Sequence, residues 1–426
     1  MRIEVICTGD EVLTGKIVNT NFAHISQKLE DVGLSVAWET TVGDDRESLL
    51  RAFQLAGERA DAVIVNGGLG PTVDDLSQEV AAQAAGVELA LNEEWLTKME
   101  DFFRRRSRTM PPNNRKQAML PTTAEVIDNP IGTACGFAID IGRARFFFTP
   151  GVPRELKRML EEQVIPRLLA KSGLQTAIQL KRFHSYGLGE SHVDALLAGV
   201  EALVPDGSVK LGFRAHYPQL ETKLTARGRD MDDVRKKLAP VEQEIRKRLG
   251  NFILAEDDQT LEGVVLAELT RRQATLAIVE MFTSGQVAAR FAHLPGAEKV
   301  FRRGVLSRGL GEVCAAVGLD APAGEITRET AEAVARAARQ HTGATHALAV
   351  LIDLDEGADR IEFGGTICLA IATVSDTASR RSRIVGGREW VRLGAVEMAL
   401  DCLRRFLQSL PVWERTDFEK VDGGAR

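Results

Sequence analysis

The segment RIEVICT, residues 2–8, is an apolar run that predicts a short buried strand. From Val18 to Gly33 the pattern changes, with apolar side chains at Val18, Phe22, Ile25, Leu29 and Val32. Their spacing puts them on one face of a helix, with Asn19 or Thr20 as its cap and Gly33 as its stop. Residues 34–42 predict a strand, 45–59 a helix, 62–66 a third strand and 74–85 another helix. Strand and helix alternate, so a parallel sheet with helices packed on its faces is expected. In such sheets ligands gather beyond the carboxyl ends of the strands. The polar loops at those ends are GDEVLTG (9–15), GDD (43–45) and GGLGPTVDD (67–75), and their acids converge on one edge.

The pattern shifts after residue 172. Residues 176–255 read as strands and helices in an α+β order that closes on the charged stretch DMDDVRKKLAPVEQEIRKRLG. A new α/β pattern begins at 258–272, with apolar strands at 275–279, 346–352 and 365–373 and an amphipathic helix over 389–408. There is no internal repeat or low-complexity tract, and the polar tail ERTDFEKVDGGAR is expected to fray.

At 426 residues the chain exceeds one ordinary core and predicts two or three domains. A hydrophobic content of 44% and a charged content of 27% are those of soluble globular protein. The net charge of −6 gives no electrostatic footing for nucleic acid or a membrane surface, so neither partner is expected. No apolar run reaches the roughly 18 residues of a membrane span, and MRIEVICTGDEV lacks a signal-peptide core. Cys7, Cys135, Cys314, Cys368 and Cys402 are scattered and never in CxxC spacing. That argues for a cytoplasmic location and against a zinc or disulfide framework.

The richest chemistry lies in VIVNGGLGPTVDD, residues 63–75. Gly67, Gly68 and Gly70 let backbone amides approach a phosphate without Cβ interference, and the next helix offers its positive end. Thr72 adds a hydroxyl donor. Asp74 and Asp75 would repel phosphate unless a divalent cation bridged them, and Asp10 and Asp44 from neighbouring loops could complete its shell. The plainer alternative is that the glycines only turn the chain while Asp74 and Asp75 cap a helix. Lys16 and Arg115 are candidate phosphate partners, with solvated surface charge as the competing reading.

These motifs resemble the CinA (competence/damage-inducible) family, whose N-terminal module is related to molybdopterin-binding domains. Gly9, Asp10, Glu11, Leu13 and Gly15 meet its Gly-Asp-Glu-x-Leu-x-Gly, and Asn19, Thr20 and Asn21 its Asn-Thr-Asn. Residues 67–75 match its glycine loop, with Asn66 where threonine is usual. NPIGTACGF matches with Cys135 in place of proline, Asn114, Arg115, Gln117 and Ala118 match loosely, and Pro150 to Pro153 with Glu155 complete the set. The resemblance implies three parts: a three-layer molybdopterin-binding-like α/β domain with a parallel sheet (1–172), a small α+β KH-like domain (173–256) and a second α/β domain of CinA C-terminal type (257–413). A polar tail (414–426) follows, and a homodimer is implied.

For the first domain the resemblance implies metal-dependent hydrolysis of ADP-ribose to AMP and ribose 5-phosphate. Asp10, Asp44, Asp74 and Asp75 would then hold Mg²⁺, Mn²⁺ or Co²⁺ and activate water. Spacing does not say which aspartate is ligand and which is base. Gly9, Glu11, Asn19, Gly67, Gly68, Gly70, Thr72, Arg115, Gly132, Thr133 and Gly151 would contact the nucleotide substrate. In the middle stretch, HSYGLGES (184–191) matches a family segment but has neither the GxxG spacing nor the basic flanks that clamp nucleic acid, so a spacer is expected.

The family's last domain resembles the nicotinamide mononucleotide deamidase, and here its motifs thin out. In VEMFTSG, Glu280 and Thr283 survive, but Met281 takes the nucleophilic serine's place. Arg308 and Val313 fall where the family has tyrosine and lysine, and LIDLDEG lacks the third motif's pattern. Only GGREWVR, with Arg388 and Arg392, still fits. A thioether cannot attack an amide, and Ser284 or Ser307 could serve only as a displaced nucleophile. The expectation is therefore an ADP-ribose pyrophosphatase whose C-terminal domain keeps its fold without amidase activity. The alternatives are an active nicotinamide mononucleotide amidohydrolase or a non-catalytic molybdopterin-type binder or scaffold.

Overall fold

The computed structural model describes residues 1–173, 177–320, 326–355 and 363–419. They form two compact units, Met1–Gln179 with Gly228–Met231, and Leu180–Arg227 with Asp232–Arg426. Among the described residues no helix is long and apolar enough to cross a membrane. All five cysteines are free and buried.

The first unit begins β1 (Ile3–Thr8), α1 (Asp10–Leu13), α2 (Thr20–Asp31), β2 (Val36–Val42), α3 (Arg46–Arg59), β3 (Ala62–Asn66) and α4 (Ser77–Ala85). It continues with β4 (Leu89–Leu91), α5 (Glu93–Arg104), β5 (Met119–Pro121), β6 (Glu125–Ile127), β7 (Gly136–Ile141), β8 (Ala144–Thr149), α6 (Pro153–Met159) and α7 (Ile165–Ser172). The main sheet runs β2-β1-β3-β8-β7-β6. Its β2, β1, β3 and β8 are parallel, as expected, while β7 and β6 add an antiparallel edge. β1 and β3 are buried on both faces, which is why they read as continuous apolar runs.

Asn19 caps α2 by accepting from the Phe22 amide, and Asp45 caps α3 by accepting from the Glu47 and Ser48 amides. The helix expected over 74–85 starts only at Ser77, and its cap position, Leu76, makes no side-chain cap bond. Asp74 and Asp75 therefore stay in the loop, neither helical nor capping. Under α3 and α4, Phe53 meets Phe146 and Phe148 edge-on, and Phe148 stacks on Phe137 at 4.3 Å. Phe148→Ala should cost this unit about 3–5 kcal/mol in chemical denaturation, because the buried site cannot collapse around the void.

The second unit holds β9 (Ala177–Tyr186), α8 (Glu190–Leu196), β10 (Val209–His216), β11 (Gln219–Gly228), α9 (Met231–Leu249) and β12 (Ile253–Glu256). Then come α10 (Leu261–Arg271), β13 (Leu276–Met281), α11 (Gln286–Ala292), α12 (Ala297–Val300), β14 (Phe301–Ser307) and α13 (Leu310–Ala316). It closes with α14 (Arg328–Thr342), β15 (His346–Leu354), β16 (Gly364–Ala372), β17 (Thr377–Val385) and α15 (Arg388–Leu407). Its sheets run β10-β11-β9-β12 and β14-β13-β15-β16-β17. Tyr186, Leu254 and Ala255 of the smaller sheet share one apolar core with α10, β13 and α15.

Two expectations are corrected here. Helix α15 is not simply amphipathic: from Gly394 to Arg405 every residue is buried, including Glu397, Asp401, Arg404 and Arg405. Pairing makes that tolerable, since Asp401 accepts from Arg404 at 2.6 Å and from Arg405 at 2.8 Å. Nor does residue 414 begin a frayed tail. The buried Arg380 guanidinium holds the Val412 and Glu414 carbonyls and the Glu419 carboxylate. The Asp417 carboxylate accepts from the Gly189 amide at 2.8 Å, so GLGE anchors this segment. Residues 420–426 of the predicted tail lie outside the described residues.

Candidate functional site

Chain order takes β1 to β2 on one side and then to β3 on the other, so crossovers diverge at the carboxyl end of β1. A cavity of about 410 Å³ opens there. Thr8 and Gly9 line it at the end of β1, Glu11 from α1, Asp44 from the loop after β2, and Pro150 and Gly151 from the turn after β8. Gly67, Gly68, Gly70, Asp74 and Asp75 line it from the loop after β3, and Thr133 completes the wall.

The glycine loop is rigidly braced. Gly67 (φ +113°) and Gly68 (φ +68°) turn the chain sharply out of β3. The Ser77 hydroxyl donates to the Gly67 carbonyl, and Gln117 Nε2 donates to the Leu69 carbonyl at 3.0 Å. Asn66 Oδ1 accepts from Asn21, and its Nδ2 donates to the Pro150 carbonyl at 2.7 Å, tying β3, β8 and α2 together. Thr8 Oγ1 is buried at the cavity and has no protein partner. A buried hydroxyl without a partner marks where a ligand or ordered water would pair.

The acids divide their work. The Asp10 amide donates to the Asp44 carboxylate, and the Asp44 amide to the Asp10 carboxylate, so the two loops clasp each other. Asp75 turns back to accept from the Thr72 amide at 2.9 Å and from its hydroxyl. Burial raises the Asp44 pKa, and the charges of Asp10, Glu11 and Asp74 add to the rise. The Thr72 hydroxyl lowers that of Asp74. Among the described residues no group of three or more His, Cys, Asp or Glu side chains could hold a metal ion. The donor set as placed does not fit the expected shell of Asp10, Asp44, Asp74 and Asp75, because Asp10 and Asp44 are turned to each other's loop amides and Asp75 to Thr72.

A carboxyl whose pKa rises on folding binds its proton more tightly in the folded protein. Its contribution is therefore largest at low pH and is lost as pH rises through the raised value. Charged Asp44 thus costs stability at neutral pH. Asp44→Asn should raise the thermal midpoint near pH 7 and leave it little changed near pH 3, read by calorimetry.

Of the other predicted residues, Asn19 is spent as the α2 cap. Arg115 is exposed and does not line the cavity, while its neighbour Lys116 donates to the Thr72 carbonyl at 3.0 Å. Gly132 faces a neighbouring cavity, and a Cβ there would overlap the Glu155 carboxylate. Thr8 and Gln117 also line the first cavity and were not among the predicted site residues. Gln117 was legible as part of a motif, whereas Thr8 carried no signal beyond its place at a strand end.

In the second unit, β13 ends in a strained turn, with Phe282 at φ +73°, Ser284 at φ +60° and Gly285 at φ +78°. Positive φ at an aromatic residue is held only when its surroundings over-determine it, and such strain gathers at functional sites. The buried Glu280 carboxylate does the holding, accepting from the Thr283 hydroxyl and from the Val287 and Ala288 amides at 3.0 and 2.8 Å. Met281 and Val313 are buried in one apolar cluster. The Arg308 guanidinium lies 5.9 Å over the Phe282 ring, and Ser307 pairs with Met281 across β13 and β14. Of LIDLDEG, Glu356 and Gly357 lie outside the described residues.

Family models match the chain in sequence: a probable molybdopterin binding domain over residues 4–170, the damage-inducible protein CinA KH domain over 181–255, and the CinA C-terminal domain over 258–407. A CinA-like protein of Shewanella sediminis is 38% identical over 413 residues, covering 96% of both chains. One of Geotalea uraniireducens is 36% identical, covering 98% of this chain and all of that one. A Shewanella oneidensis relative, 38% identical over 96% of both chains, is named nicotinamide-nucleotide amidohydrolase PncC.

That relative overturns the expectation of an ADP-ribose pyrophosphatase without amidase activity. The expectation weighed three positions, Met281, Arg308 and Val313, and gave too little to hydroxyls brought to the same strand ends by pairing, such as Ser307 beside Met281. The family itself stands as the motifs indicated. With three of its domains matched in order and relatives alike over nearly their whole length, the chain belongs to the CinA family.

Proposed function

We propose that this chain hydrolyses the carboxamide of a nicotinamide nucleotide, releasing ammonia and leaving a carboxylate on the ring. The observation that carries the proposal is the likeness to the Shewanella oneidensis relative over 96% of both chains. The strained turn after β13, clamped by Glu280, supports it as the place of reaction. Because Met281 has no proton to lose, the attack falls to a neighbouring hydroxyl, Ser307 or the exposed Ser284. The hydroxyl oxygen adds to the amide carbon, and ammonia leaves with the hydroxyl's proton. Water then cleaves the ester and restores the serine. Arg308 supplies positive charge at the same edge for the nucleotide's phosphate.

Ammonia release from nicotinamide mononucleotide should fall by about a thousandfold or more in either Ser284→Ala or Ser307→Ala, and little in the other. Parent-like rates in both would remove the displaced nucleophile, and an inactive parent would remove the amidase itself.

A second reading concerns the first unit, where the unpartnered Thr8 hydroxyl and the glycine-loop amides favour a binding pocket for a phosphate-bearing, molybdopterin-type ligand.

A further inference from the structure

Behind the wall of the glycine-loop pocket lies a second cavity of about 530 Å³, well within the size range of small-molecule sites. The wall between them is the turn from Asn129 to Ala134: Gly132 lines this cavity, whereas Thr133 and Ala134 line the other. Asn129 fixes that turn. Its Oδ1 accepts from the Ile131 and Gly132 amides, and its Nδ2 donates to the Ala134 carbonyl and the Glu155 carboxylate. Trp95 Nε1 donates to the Thr133 carbonyl, which locks the indole against the same turn.

The composition of this second cavity is unlike the rest of an acidic chain. Trp95 and Phe102 give it aromatic surface, while Lys98, Arg105 and Arg106 give it positive charge. The one lining acid, Asp101, is paired with Arg104, and Lys98 is paired with Asp128, which leaves Arg105 and Arg106 as the cavity's uncompensated charge. Lys98 sits 4.8 Å from the Trp95 ring centre, and the exposed Arg106 guanidinium lies 3.5 Å over Phe102. A guanidinium stacked on one ring can stack a second on its other face. Among the described residues the exposed Arg105 side chain makes no ion pair or hydrogen bond, so its charge is free for an anion. Ring-stacking surface beside concentrated cations selects a planar aromatic ligand that carries an anionic group.

We propose that the cavity bounded by Trp95, Phe102, Lys98, Arg105 and Arg106 is a binding site for a nucleoside monophosphate, its base stacking at Arg106 and Phe102 and its phosphate held by Arg105. This stands apart from the amide chemistry of the second unit and does not depend on it.

Calorimetric titration of the full chain tests it, with AMP, adenosine and inorganic phosphate as probes. AMP should bind more tightly than either half, and its affinity should fall as salt rises. Because Arg105 and Arg106 are exposed, Arg105→Ala/Arg106→Ala should melt like the parent yet bind AMP about tenfold more weakly or worse. Failure of the parent to bind AMP, salt-independent binding, or parent-like affinity in the folded double variant would each overturn the proposal.

Discussion

Glu280→Ala should lower the stability of the second unit by about 3 kcal/mol or more and extinguish ammonia release. Three donors now end on this carboxylate: the Thr283 hydroxyl and the Val287 and Ala288 amides. Glu280 is 2% exposed, so water cannot replace it freely, and each buried donor left unpaired costs about 1–3 kcal/mol. The turn at Phe282 and Ser284 keeps its positive φ only while that clamp holds, so its geometry should relax together with the fold. Glu280→Gln separates the two effects. Its carbonyl oxygen can still accept on one side, but its NH₂ would face a donor on the other, which should cost about 1–3 kcal/mol and preserve part of the activity. Chemical denaturation of the three proteins, beside their ammonia rates, reads both. Parent-like stability in Glu280→Ala would show that the carboxylate does not hold the turn.

Gly67→Ala should have the largest effect in the first unit. At φ +113° an L side chain is strained whatever the space. The space is also taken, since the added Cβ would overlap Thr8 Oγ1 and come 2.9 Å from the Thr8 carbonyl oxygen. Strain and overlap together should cost about 1–3 kcal/mol. They also close the cavity on the hydroxyl that has no partner, so any phosphate-bearing ligand of this pocket should bind at least about tenfold more weakly. Denaturation midpoints and ligand titration on the same preparations check it. A variant that keeps both would mean that the loop is softer than its braces at Ser77 and Gln117 suggest.

Much of the first unit was legible because its signals are local. Asn19 caps α2 and Gly33 ends it as the spacing implied, and the apolar runs at 3–8 and 62–66 became buried parallel strands. The glycine loop sat where strand-end logic placed it. What spacing could not show was how the acids would be spent. Asp10 and Asp44 satisfy each other's amides across 34 residues, and Asp75 satisfies Thr72. Acid-rich loops therefore read as a metal shell in sequence and as loop braces in structure.

The second unit hid more, because its decisive contacts are distant. Charged residues in α15 read as a solvent face, yet Asp401, Arg404 and Arg405 are buried as a paired set. The polar tail from residue 414 read as a frayed end, yet Arg380 on β17 holds the Glu414 carbonyl and the Glu419 carboxylate. Ser307 and Met281 are neighbours only through strand pairing, so the motif comparison, which named Ser307 as a displaced nucleophile, had no sign that it stands beside position 281.

The most direct test of the account is ammonia release by the purified full chain from nicotinamide mononucleotide, with Glu280→Ala as the matched control. Stoichiometric ammonia and the carboxylate nucleotide from the parent, with none from the control, is the predicted result. A folded parent that binds the mononucleotide and releases no ammonia would contradict it.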